Sequence, residues 1–342
     1  MGTDFWKQRR VFVTGGTGLL GSTLIEALLA RGASVTCLLR DWVPDSKLLE
    51  ADLLARTTVV RGELEDLAVL IRALNEHEID TVFHLGAQTI VGTAARSPLS
   101  TFESNIRGTW NVLEACRLLP KFIERVVVAS SDKAYGAHDQ LPYTEDAPLQ
   151  GRFPYDVSKS CADLIALSYW HTYRTPIAVT RCGNLFGGGD LNFNRLIPGT
   201  IRSVLLGERP VIRSDGSYVR DYFYVRDAAD AYLQLAERLP GETFAGRAFN
   251  FGTETPVSVL ECVAQILEQM GVPELNPVIL NEASYEIPRQ YLDCTRARET
   301  MGWRPRWSVE DAFQETIAWY SGWLDRRRDG RHISQPRAAE AV

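Results

Sequence analysis

A small set of residues in this chain has the types and spacing for proton-transfer chemistry. The set consists of Tyr155 and Lys159, preceded by the run Ser131, Asp132 and Lys133. A Tyr-x-x-x-Lys pair on a helix places its two side chains about one turn apart on the same face. A lysine ammonium beside a phenol favours the phenolate, which lowers the pKa and makes the tyrosine a better base. Because this spacing is common on helices without a function, the pair needs support from elsewhere in the chain.

That support comes from the N-terminal sequence. Over residues 11–29 an apolar β-branched run enters a glycine turn and continues as a periodic apolar helix, with Gly15, Gly18 and Gly21 spaced as G-x-x-G-x-x-G. This is the context of a dinucleotide-binding fingerprint, in which glycines let the backbone turn tightly and approach a pyrophosphate at the helix N-terminus. An ordinary strand-to-helix turn is the alternative, but three spaced glycines in this context favour a dinucleotide site.

The elements that must position these residues alternate regularly up to about residue 180. Short apolar runs and amphipathic helical stretches in alternation are typical of an α/β protein with a doubly wound parallel sheet. The predicted strands are 10–14, 34–39, 58–61, 81–85, 125–130 and 177–181. The predicted helices are 18–31, 66–76, 102–117 and 155–173, followed in the less regular second half by 195–206, 227–238, 256–270 and 309–324.

The loss of regularity after Gly187–Gly189 predicts two unequal domains. We expect residues 1–185 to form a dinucleotide-binding domain that carries the catalytic residues. Residues 186–325 are expected to form mainly a smaller, mixed α/β substrate-binding lobe, which is discontinuous because some of its segments return to the first domain. We expect the polar, alanine-rich tail 326–342 to be disordered.

Composition excludes several classes of protein. The chain has 342 residues, of which 45% are hydrophobic and 23% charged, as in an ordinary globular protein. Its net charge of −6 argues against binding to nucleic acid or to a membrane surface, and it lacks an apolar run of about 18 residues that would span a membrane. The 6 cysteines include no C-x-x-C pair and the 5 histidines show no ligand spacing. We therefore expect free thiols, no metal site and a cytoplasmic location.

With these motifs the chain resembles the extended short-chain dehydrogenase/reductases, in the branch of nucleotide-sugar epimerases and dehydratases. The resemblance runs from about Trp6 to Trp323 and implies a Rossmann-type fold, a retained nicotinamide cofactor and a nucleotide-diphosphate sugar as substrate. The motifs that carry it are the turn Thr14–Gly21, the segments 83–88 and 105–109, the Tyr155/Lys159 pair, Arg220-Asp221-Tyr222 and the closing Met301-Gly302-Trp303-Arg304-Pro305.

The resemblance also implies a reaction, because the family's chemistry is set at the positions of Ser131, Asp132 and Lys133. The serine hydrogen-bonds the reacting sugar oxygen. Sugar 4,6-dehydratases follow it with Asp-Glu, an acid for the leaving hydroxyl and a base for carbon 5, whereas 4-epimerases usually have small residues there. Asp132 matches the acid, while Lys133 replaces the glutamate. Asp-Lys is similar to the motif of CDP-glucose 4,6-dehydratases.

Lys133 can act as the base only when it is neutral, and an ordinary lysine is almost fully protonated at pH 7. Desolvation in a closed site, with Lys159 and a positive nicotinamide nearby, would lower its pKa. The alternative is that Lys133 only pairs with Asp132 or with a substrate oxygen and that no elimination occurs. Three functions therefore stay open: a 4,6-dehydratase, which the motif favours, a nucleotide-sugar 4-epimerase, and a redox-sensing protein that binds the cofactor without catalysis.

The resemblance assigns binding residues position by position. Arg220 and Arg289 match two arginines that bind the diphosphate, chemistry that suits a guanidinium fork. The positions matched to substrate are Gln88, Ser131, Asn184, Arg195, Leu196, Arg220 and Arg289. The positions matched to cofactor are Gly15, Thr17, Gly18, Leu19, Leu20, Arg40, Asp41, Glu63, Leu64, Leu85, Gly86, Ala87, Gln88, Asn105, Tyr155 and Lys159.

The choice between NAD and NADP depends on the end of the second predicted strand. A carboxylate there hydrogen-bonds the ribose diol and selects NAD, whereas an arginine accommodates the extra phosphate of NADP. Arg40 and Asp41 supply both, and the sequence favours NAD without excluding NADP. At the adenine position Glu63 and Leu64 replace the family's usual Asp-Ile pair. The family usually dimerises through helices such as 102–117 and 155–173, so we expect a homodimer.

Overall fold

The chain alternates strands with helices, as its hydrophobic pattern predicts. The computed structural model describes residues 5–49, 51–282 and 286–328. Its strands are β1 Arg10–Thr14, β2 Ser34–Leu39, β3 Thr58–Arg61, β4 Thr81–His84, β5 Arg125–Ala129, β6 Ile177–Cys182, β7 Asn184–Phe186, β8 Val211–Ile212, β9 Val219–Arg220, β10 Tyr222–Tyr224, β11 Arg247–Phe251, β12 Val257–Ser258, β13 Val278–Ile279 and β14 Arg289–Gln290.

The helices lie between these strands. They are α1 Leu19–Ala30, α2 Ala51–Ala55, α3 Leu67–Glu76, α4 Val91–Arg96, α5 Pro98–Phe102, α6 Gly108–Leu118, α7 Pro154–Tyr173, α8 Leu196–Leu205, α9 Val225–Arg238, α10 Val259–Gln269, α11 Thr295–Met301 and α12 Val309–Arg328. A π-helical turn, Glu103–Arg107, joins α5 to α6, and short 3-10 turns cover Trp6–Gln8, Lys47–Leu49 and Asp132–Tyr135.

A 7-stranded parallel sheet in the order β11-β6-β5-β4-β1-β2-β3 forms the centre of the molecule. Alternate residues of each strand face opposite sides. Val11 and Val13 therefore pack in one apolar cluster with α1 and α9, while Phe12 between them packs in a second cluster with α3 and α6. Burial of both faces explains the continuous apolar runs of these strands. The predicted Rossmann-type, doubly wound fold is confirmed.

One strand of the sheet escaped the sequence analysis. β11 lies at the edge of the sheet beside β6, within the stretch that we expected to belong mainly to the smaller lobe. Its polar residue Asn250 interrupts the apolar pattern, yet this side chain is fully buried because all of its polar atoms are paired. Asn250 Oδ1 accepts from the Tyr135 hydroxyl, and its Nδ2 donates to the carbonyls of Tyr143 and Asp293. Hydrogen bonds from distant residues thus allow a polar side chain in a strand that sequence alone did not identify.

Two helix boundaries also differ from expectation. The predicted helix 102–117 begins earlier, at Pro98, and contains the π-helical turn, a rare element that is frequent at functional sites. The last helix, α12, continues to Arg328. The boundary predicted at residue 326 for a disordered tail is therefore too early, and residues 329–342 lie outside the described part of the chain. Within the described residues, no helix is both long and apolar enough to cross a membrane.

The stretch that we expected to form the smaller lobe contains several short strand pairs. β9 pairs with β12 in antiparallel and with β14 in parallel orientation, so that Gln290 lies opposite Arg220. β8 pairs with β13, and Ile212, Val259 and Val263 form part of a separate apolar cluster beneath them. These pairings bring residues 219–220 and 289–290 to one place, next to the C-terminal edge of the large sheet.

A buried ion pair fixes α7 against the sheet. Arg181 of β6 binds Asp163 of α7 through two bonds, Nε to Oδ2 at 2.7 Å and Nη2 to Oδ1 at 2.9 Å, and both side chains are almost completely inaccessible. Arg181 Nη1 also donates to the Tyr135 hydroxyl and to the Glu145 carbonyl, both at 2.9 Å. Its donors are thus largely satisfied, and the helix that carries Tyr155 and Lys159 is fixed relative to β6.

We predict that Asp163→Ala destabilises the protein by about 3–5 kcal/mol, because it leaves the Arg181 charge buried without a partner. Urea denaturation followed by fluorescence measures this change. Glu76→Ala is the matched control, since it breaks the exposed Arg72–Glu76 pair on α3 and should cost at most about 0.5 kcal/mol. Equal denaturation midpoints for the two variants would contradict the prediction.

Candidate active site

The predicted site residues converge at one edge of the large sheet. The carboxyl ends of neighbouring parallel strands meet at the same edge, where ligands bind in open α/β sheets. The glycine turn follows β1, the segment 85–88 follows β4, and the run 131–133 follows β5. The site is thus assembled from three loops that the strand order places side by side, together with the first turns of α7.

The glycine turn can pack closely against neighbouring backbone only because it lacks side chains. Gly15 has φ +76°, and a Cβ there would lie 2.8 Å from the Gly86 nitrogen. A Cβ on Gly21 would lie 2.1 Å from the Gly15 carbonyl oxygen. Gly18 is the N-cap of α1, no described side chain caps that helix, and its first turn has no acidic residue. The exposed N–H groups of such a turn suit a pyrophosphate, so the residues present fit a dinucleotide.

The predicted cofactor residues around this turn differ in their burial. Thr17 is half-buried, and its carbonyl accepts a hydrogen bond from the Ser46 hydroxyl at 2.8 Å. Leu19 and Leu20 are buried in the first turn of α1 and pack in the core. Leu64 is buried, and a Cβ on Gly108 would lie only 2.7 Å from the Leu64 Cβ. Of the predicted cofactor residues, these leucines therefore shape the wall of the site.

A buried histidine joins the glycine turn to the segment after β4. His84 Nδ1 lies 2.9 Å from Thr14 Oγ1, and its Nε2 lies 3.0 Å from Thr109 Oγ1. The Thr14 oxygen also accepts the backbone N–H groups of Leu85 and Gly86, at 3.1 and 2.9 Å. Burial, reinforced by the charge of Lys159, lowers the pKa of His84 to about 3. His84 is thus a neutral structural residue that fixes the cofactor-facing loop.

Asn105, in the π-helical turn, also fixes the segment after β4. Its Oδ1 accepts from the Gln88 backbone nitrogen at 2.7 Å, and its Nδ2 donates to the Gln88 carbonyl at 3.0 Å and to Ser158 Oγ at 2.9 Å. Ser158 Oγ in turn donates to the Tyr155 carbonyl. Asn105 therefore acts through the backbone of Gln88, while Leu85, Gly86, Ala87 and Gln88 are the half-buried residues that line the edge.

The run after β5 forms a 3-10 turn whose N-cap is Ser131. Ser131 Oγ accepts the Lys133 backbone N–H at 3.2 Å and donates to Asp132 Oδ1 at 3.0 Å. Asp132 is 2% exposed, and Lys133 is half-buried. The turn thus places a hydroxyl, a carboxyl and an amine in succession at the edge of the sheet, as the sequence predicts.

Tyr155 and Lys159 are both buried on the first turns of α7, but their electrostatics differ from our prediction. Burial raises the pKa of Tyr155 to about 12, and the charge of Arg195 and a hydrogen bond with Ser131 oppose it only in part. Lys159 donates to the Ala129 carbonyl at 2.9 Å, and burial lowers its own pKa to about 8. The expected lowering of the tyrosine pKa by Lys159 is therefore wrong for the protein alone, because desolvation exceeds the attraction of nearby positive charge.

Lys133 contacts a residue that the sequence analysis missed. Its Nζ donates to Gln290 Oε1 at 2.7 Å, and Gln290 is fully buried on β14. Burial lowers the pKa of Lys133, Arg220 adds to this effect, and the carboxylates of Asp132 and Asp156 oppose it. Asp156, also missed, is a buried carboxyl beside Tyr155 whose pKa is raised to about 6 by burial. The predicted desolvation of Lys133 is thus confirmed in direction.

The structure brings together some of the predicted substrate residues and separates another. Arg220 is 4% exposed and donates to the Val219 and Pro288 carbonyls and to Glu286. Arg289 is exposed and donates to the Tyr291 hydroxyl at 3.4 Å. Because neighbouring strand residues point to opposite faces and Gln290 faces Lys133, Arg289 points away from that lysine. That Arg289 binds the diphosphate together with Arg220 stays a prediction.

The other predicted substrate positions lie after β6 in the chain. Arg195 pairs with Asp190 at 2.9 Å and donates to Thr89 Oγ1 at 3.3 Å. It precedes α8, of which Leu196 is the half-buried first residue. Asn184 begins β7, and its backbone nitrogen donates to the Asp221 carbonyl at 2.8 Å. The charge of Arg195 also opposes the rise in the pKa of Tyr155 on α7.

The positions predicted to bind the adenosine part of the cofactor are more exposed than those around Tyr155. Arg40 and Asp41 follow β2, are both exposed, and bind each other at 2.6 Å between Arg40 Nε and Asp41 Oδ2. Glu63 is exposed next to buried Leu64.

Elsewhere, the 6 cysteines are unpaired thiols, and no group of at least 3 His, Cys, Asp or Glu residues within the described ranges could bind a metal ion.

Solved structures with the same architecture include sugar-nucleotide enzymes of two kinds. The dTDP-glucose 4,6-dehydratase DesIV from Streptomyces venezuelae, solved with NAD bound, superimposes with a TM-score of 0.83 at 27% identity over 93% of this chain and 98% of its own. The UDP-glucose 4-epimerase from Thermotoga maritima, solved with UDP-glucose, gives a TM-score of 0.82 at 25% identity over 92% and 99%.

Sequence relatives agree with this placement. The chain is 30% identical over 339 residues to the CDP-glucose 4,6-dehydratase of Salmonella typhimurium, covering 94% of this chain and 93% of that enzyme. It is also 30% identical to the dTDP-glucose 4,6-dehydratase of an Actinoplanes species, over 91% and 97%. The model of the NAD dependent epimerase/dehydratase family matches residues 11–252, from the first strand through β11. The chain therefore belongs to the NAD dependent epimerase/dehydratase family.

Proposed function

We propose that this protein is a nucleotide-sugar 4,6-dehydratase that converts a CDP-glucose-like nucleotide hexose into the 4-keto-6-deoxy sugar nucleotide. The single observation that supports this most is the buried Asp132 carboxyl next to the half-buried Lys133 amine, directly after Ser131. Burying a carboxyl and an amine in a site costs free energy. Elimination needs such an acid and base, whereas epimerisation at carbon 4 does not. The similarity to a CDP-glucose 4,6-dehydratase agrees with this choice.

A nicotinamide cofactor fits the glycine turn, since Gly15 and Gly21 let the backbone turn tightly at the start of α1, where N–H groups suit a pyrophosphate. When bound, the cofactor supplies reversible two-electron oxidation and reduction of the sugar. The turn 15–20, the segment 85–88 and the residues Tyr155 and Lys159 would bind it. We favour NAD, because Asp41 already neutralises Arg40 through their 2.6 Å contact, and a 2′-phosphate would have to displace that carboxylate.

The first task of the protein is to remove the proton of the sugar 4-hydroxyl. Tyr155 in its phenolate form is the acceptor, and Ser131 Oγ hydrogen-bonds the same sugar oxygen. Because burial raises the pKa of Tyr155 to about 12, positive charge must favour the phenolate during turnover. Arg195 provides part of it already, and Lys159, with a pKa of about 8, is largely protonated at pH 7.

The second task is loss of water between carbons 5 and 6. A ketone at carbon 4 acidifies the proton on carbon 5, which the neutral Lys133 amine accepts. Asp132 donates a proton to the 6-hydroxyl, which departs as water. The two electrons removed at carbon 4 return at carbon 6, and a proton returns to carbon 5. The net change is loss of one water with no net oxidation of the sugar.

Substrate binding requires positive charge at the junction of the lobes. Arg220 is preorganised there by two backbone carbonyls, and its contact with Glu286 is long, at 3.3 Å. We propose that Arg220 binds the diphosphate, with Asn184 and Arg195 beside it, and that the lobe 186–325 supplies the nucleotide site. Arg289 would contribute from the face of β14 opposite to that of Gln290. Because the cysteines are unpaired thiols, we also propose a reducing compartment such as the cytoplasm.

The second candidate is a 4-epimerase, which the likeness to the Thermotoga maritima UDP-glucose 4-epimerase favours. The two activities differ in mass balance. Purified holoenzyme is incubated with CDP-, dTDP-, UDP- and GDP-glucose, and the products are analysed by mass spectrometry. A product lighter by one water supports the dehydratase, while an isobaric carbon-4 isomer supports the epimerase.

We predict that Asp132→Asn lowers the rate of water loss by about 10²–10⁴-fold, the usual contribution of a general acid. Tyr155→Phe should stop the reaction earlier, so that neither water loss nor epimerisation occurs. Lys133→Ala should suppress deuterium incorporation from solvent at carbon 5, as followed by NMR. Asp139→Asn, which changes an exposed carboxylate nearby, is the control. If Asp132→Asn and Lys133→Ala both retain turnover and the product is a carbon-4 epimer, the dehydratase proposal is wrong.

We predict that the protein binds NAD more tightly than NADP and that Asp41 is responsible. Asp41→Ala should weaken NAD binding by about ten- to hundredfold, because a charged hydrogen bond to the ribose diol is lost. Arg40→Ala should leave NAD affinity nearly unchanged. Isothermal titration with both dinucleotides measures these affinities. Preferential binding of NADP that disappears in Arg40→Ala would assign the selectivity to the arginine instead.

We predict a homodimer of roughly twice the 38.3 kDa chain mass, formed through α6 and α7. Large apolar side chains are exposed on these neighbouring helices, among them Trp110 at 44% and Leu164 at 58%. Leu164→Arg should place a charge in the interface and give a monomer in light scattering at micromolar concentration. Ile279→Arg, at an equally exposed apolar position on β13, should remain dimeric. A monomeric wild-type protein would contradict the prediction.

A further inference from the structure

Gln290 connects the smaller lobe to the reactive edge of the sheet. It lies on β14, opposite Arg220 of β9, and is fully buried. Its Oε1 accepts a hydrogen bond from Lys133 Nζ at 2.7 Å, across 157 residues of sequence. We propose that Gln290 is a positioning residue for Lys133, which fixes the amine beside Asp132 and directs its lone pair toward the sugar. This inference rests on the proposed dehydratase function and extends it.

The hydrogen bond sets the orientation of the lysine nitrogen. A neutral amine has two N–H donors and one lone pair, and an ammonium has three donors and none. An acceptor oxygen engages an N–H in either state, so the lone pair of the neutral amine must point elsewhere. If the amide of Gln290 were reversed, its N–H would occupy the lone pair and remove the base. The chemistry of proton abstraction thus needs the oxygen on this side.

The amide nitrogen of Gln290 lies on the side of Tyr143. Gln290 Nε2 is buried and makes no hydrogen bond of standard geometry with the described residues. Burial raises the pKa of Tyr143 to about 12, and an interaction with the Gln290 side chain opposes this rise. The amide thus has its oxygen toward Lys133 and its nitrogen toward the Tyr143 side chain.

The absence of charge on Gln290 is the second part of the proposal. Burial and Arg220 lower the pKa of Lys133, whereas carboxylates that face it raise it. The charged groups that face Lys133 are Asp132 on its own turn, Asp156 on α7, Arg220 on β9 and Glu286 ahead of β14. A carboxylate in the place of Gln290 would contact the nitrogen directly and favour the ammonium. A neutral acceptor instead positions the lysine without adding to its proton affinity.

Direct titration of Lys133 tests this part independently of catalysis. The chain has only 5 lysines, at positions 7, 47, 121, 133 and 159, so each resonance in a lysine-labelled NMR spectrum can be assigned by Lys→Arg substitution. In the holoenzyme of Gln290→Glu, which retains an acceptor and adds a charge, the pKa of Lys133 should rise by about 1–3 pH units. Gln314→Glu on the exposed face of α12 adds the same charge elsewhere and should leave it unchanged.

Solvent exchange at carbon 5 tests the positioning part. Its rate should increase with pH through the pKa of Lys133, because only the neutral amine accepts a proton. In Gln290→Glu the pH at which the exchange rate rises should increase by the same interval as the NMR titration. In Gln290→Leu, which is of similar size but lacks an acceptor, this pH should be lower than in Gln290→Glu. The kcat of Gln290→Leu should fall about tenfold to hundredfold at every pH. KM should change little in that variant.

Two outcomes would overturn the proposal. One is an unchanged Lys133 titration in a folded Gln290→Glu protein. The other is a Gln290→Leu variant with wild-type exchange kinetics. Wild-type enzyme that shows neither water loss nor exchange would instead refute the dehydratase function, together with the catalytic half of this inference. The NMR titration would then still decide whether Gln290 sets the charge of Lys133.

Discussion

The site depends above all on a continuous buried chain of hydrogen bonds that begins at Thr14 and ends on the catalytic helix. Thr14 and His84 end adjacent strands in register, and His84 reaches on to Thr109, whose hydroxyl donates to the Asn105 carbonyl at 2.6 Å. The Asn105 side chain then bonds Ser158, which bonds the Tyr155 carbonyl. Because each hydroxyl and ring nitrogen has a partner, this polar network can be buried at little cost. The glycine turn and the tyrosine are thereby parts of one rigid frame.

That frame allows the protein to bury groups that would otherwise remain in water. Desolvation is the largest influence on Tyr155, Lys133, Lys159 and Asp156 alike. Each buried ionisable group lowers the stability of the fold, and the two large apolar clusters on the faces of the sheet must offset that cost. As a result, the pKa values of Lys133 and Lys159 are lower than those of lysines in water. The pKa values of these four groups therefore depend on burial more than on any one charged neighbour.

Sequence alone predicted the large sheet and the residues at its edge because both depend on local patterns. Apolar runs identify the strands, glycine spacing identifies the turn, and the Tyr-x-x-x-Lys spacing lies within one helix. Features made by distant residues were missed. β11 was not identified because it contains the polar residue Asn250, whose hydrogen-bond partners come from positions 135, 143 and 293. Gln290 was missed because it reaches Lys133 only through the pairing of β9 with β14. The direction of the Tyr155 pKa was missed for the same reason, since burial is a tertiary property.

The expected smaller lobe contributes side chains to the surroundings of Lys133. Its strands β9 and β14 pair over only two positions, Val219 with Arg289 and Arg220 with Gln290. This short pairing places the cation of Arg220 and the neutral acceptor of Gln290 around the same lysine. Burial and Arg220 lower the pKa of Lys133, while the carboxylates of Asp132, Asp156 and Glu286 oppose them. The charge of the proposed base is thus set by burial together with charged groups that come from distant parts of the chain.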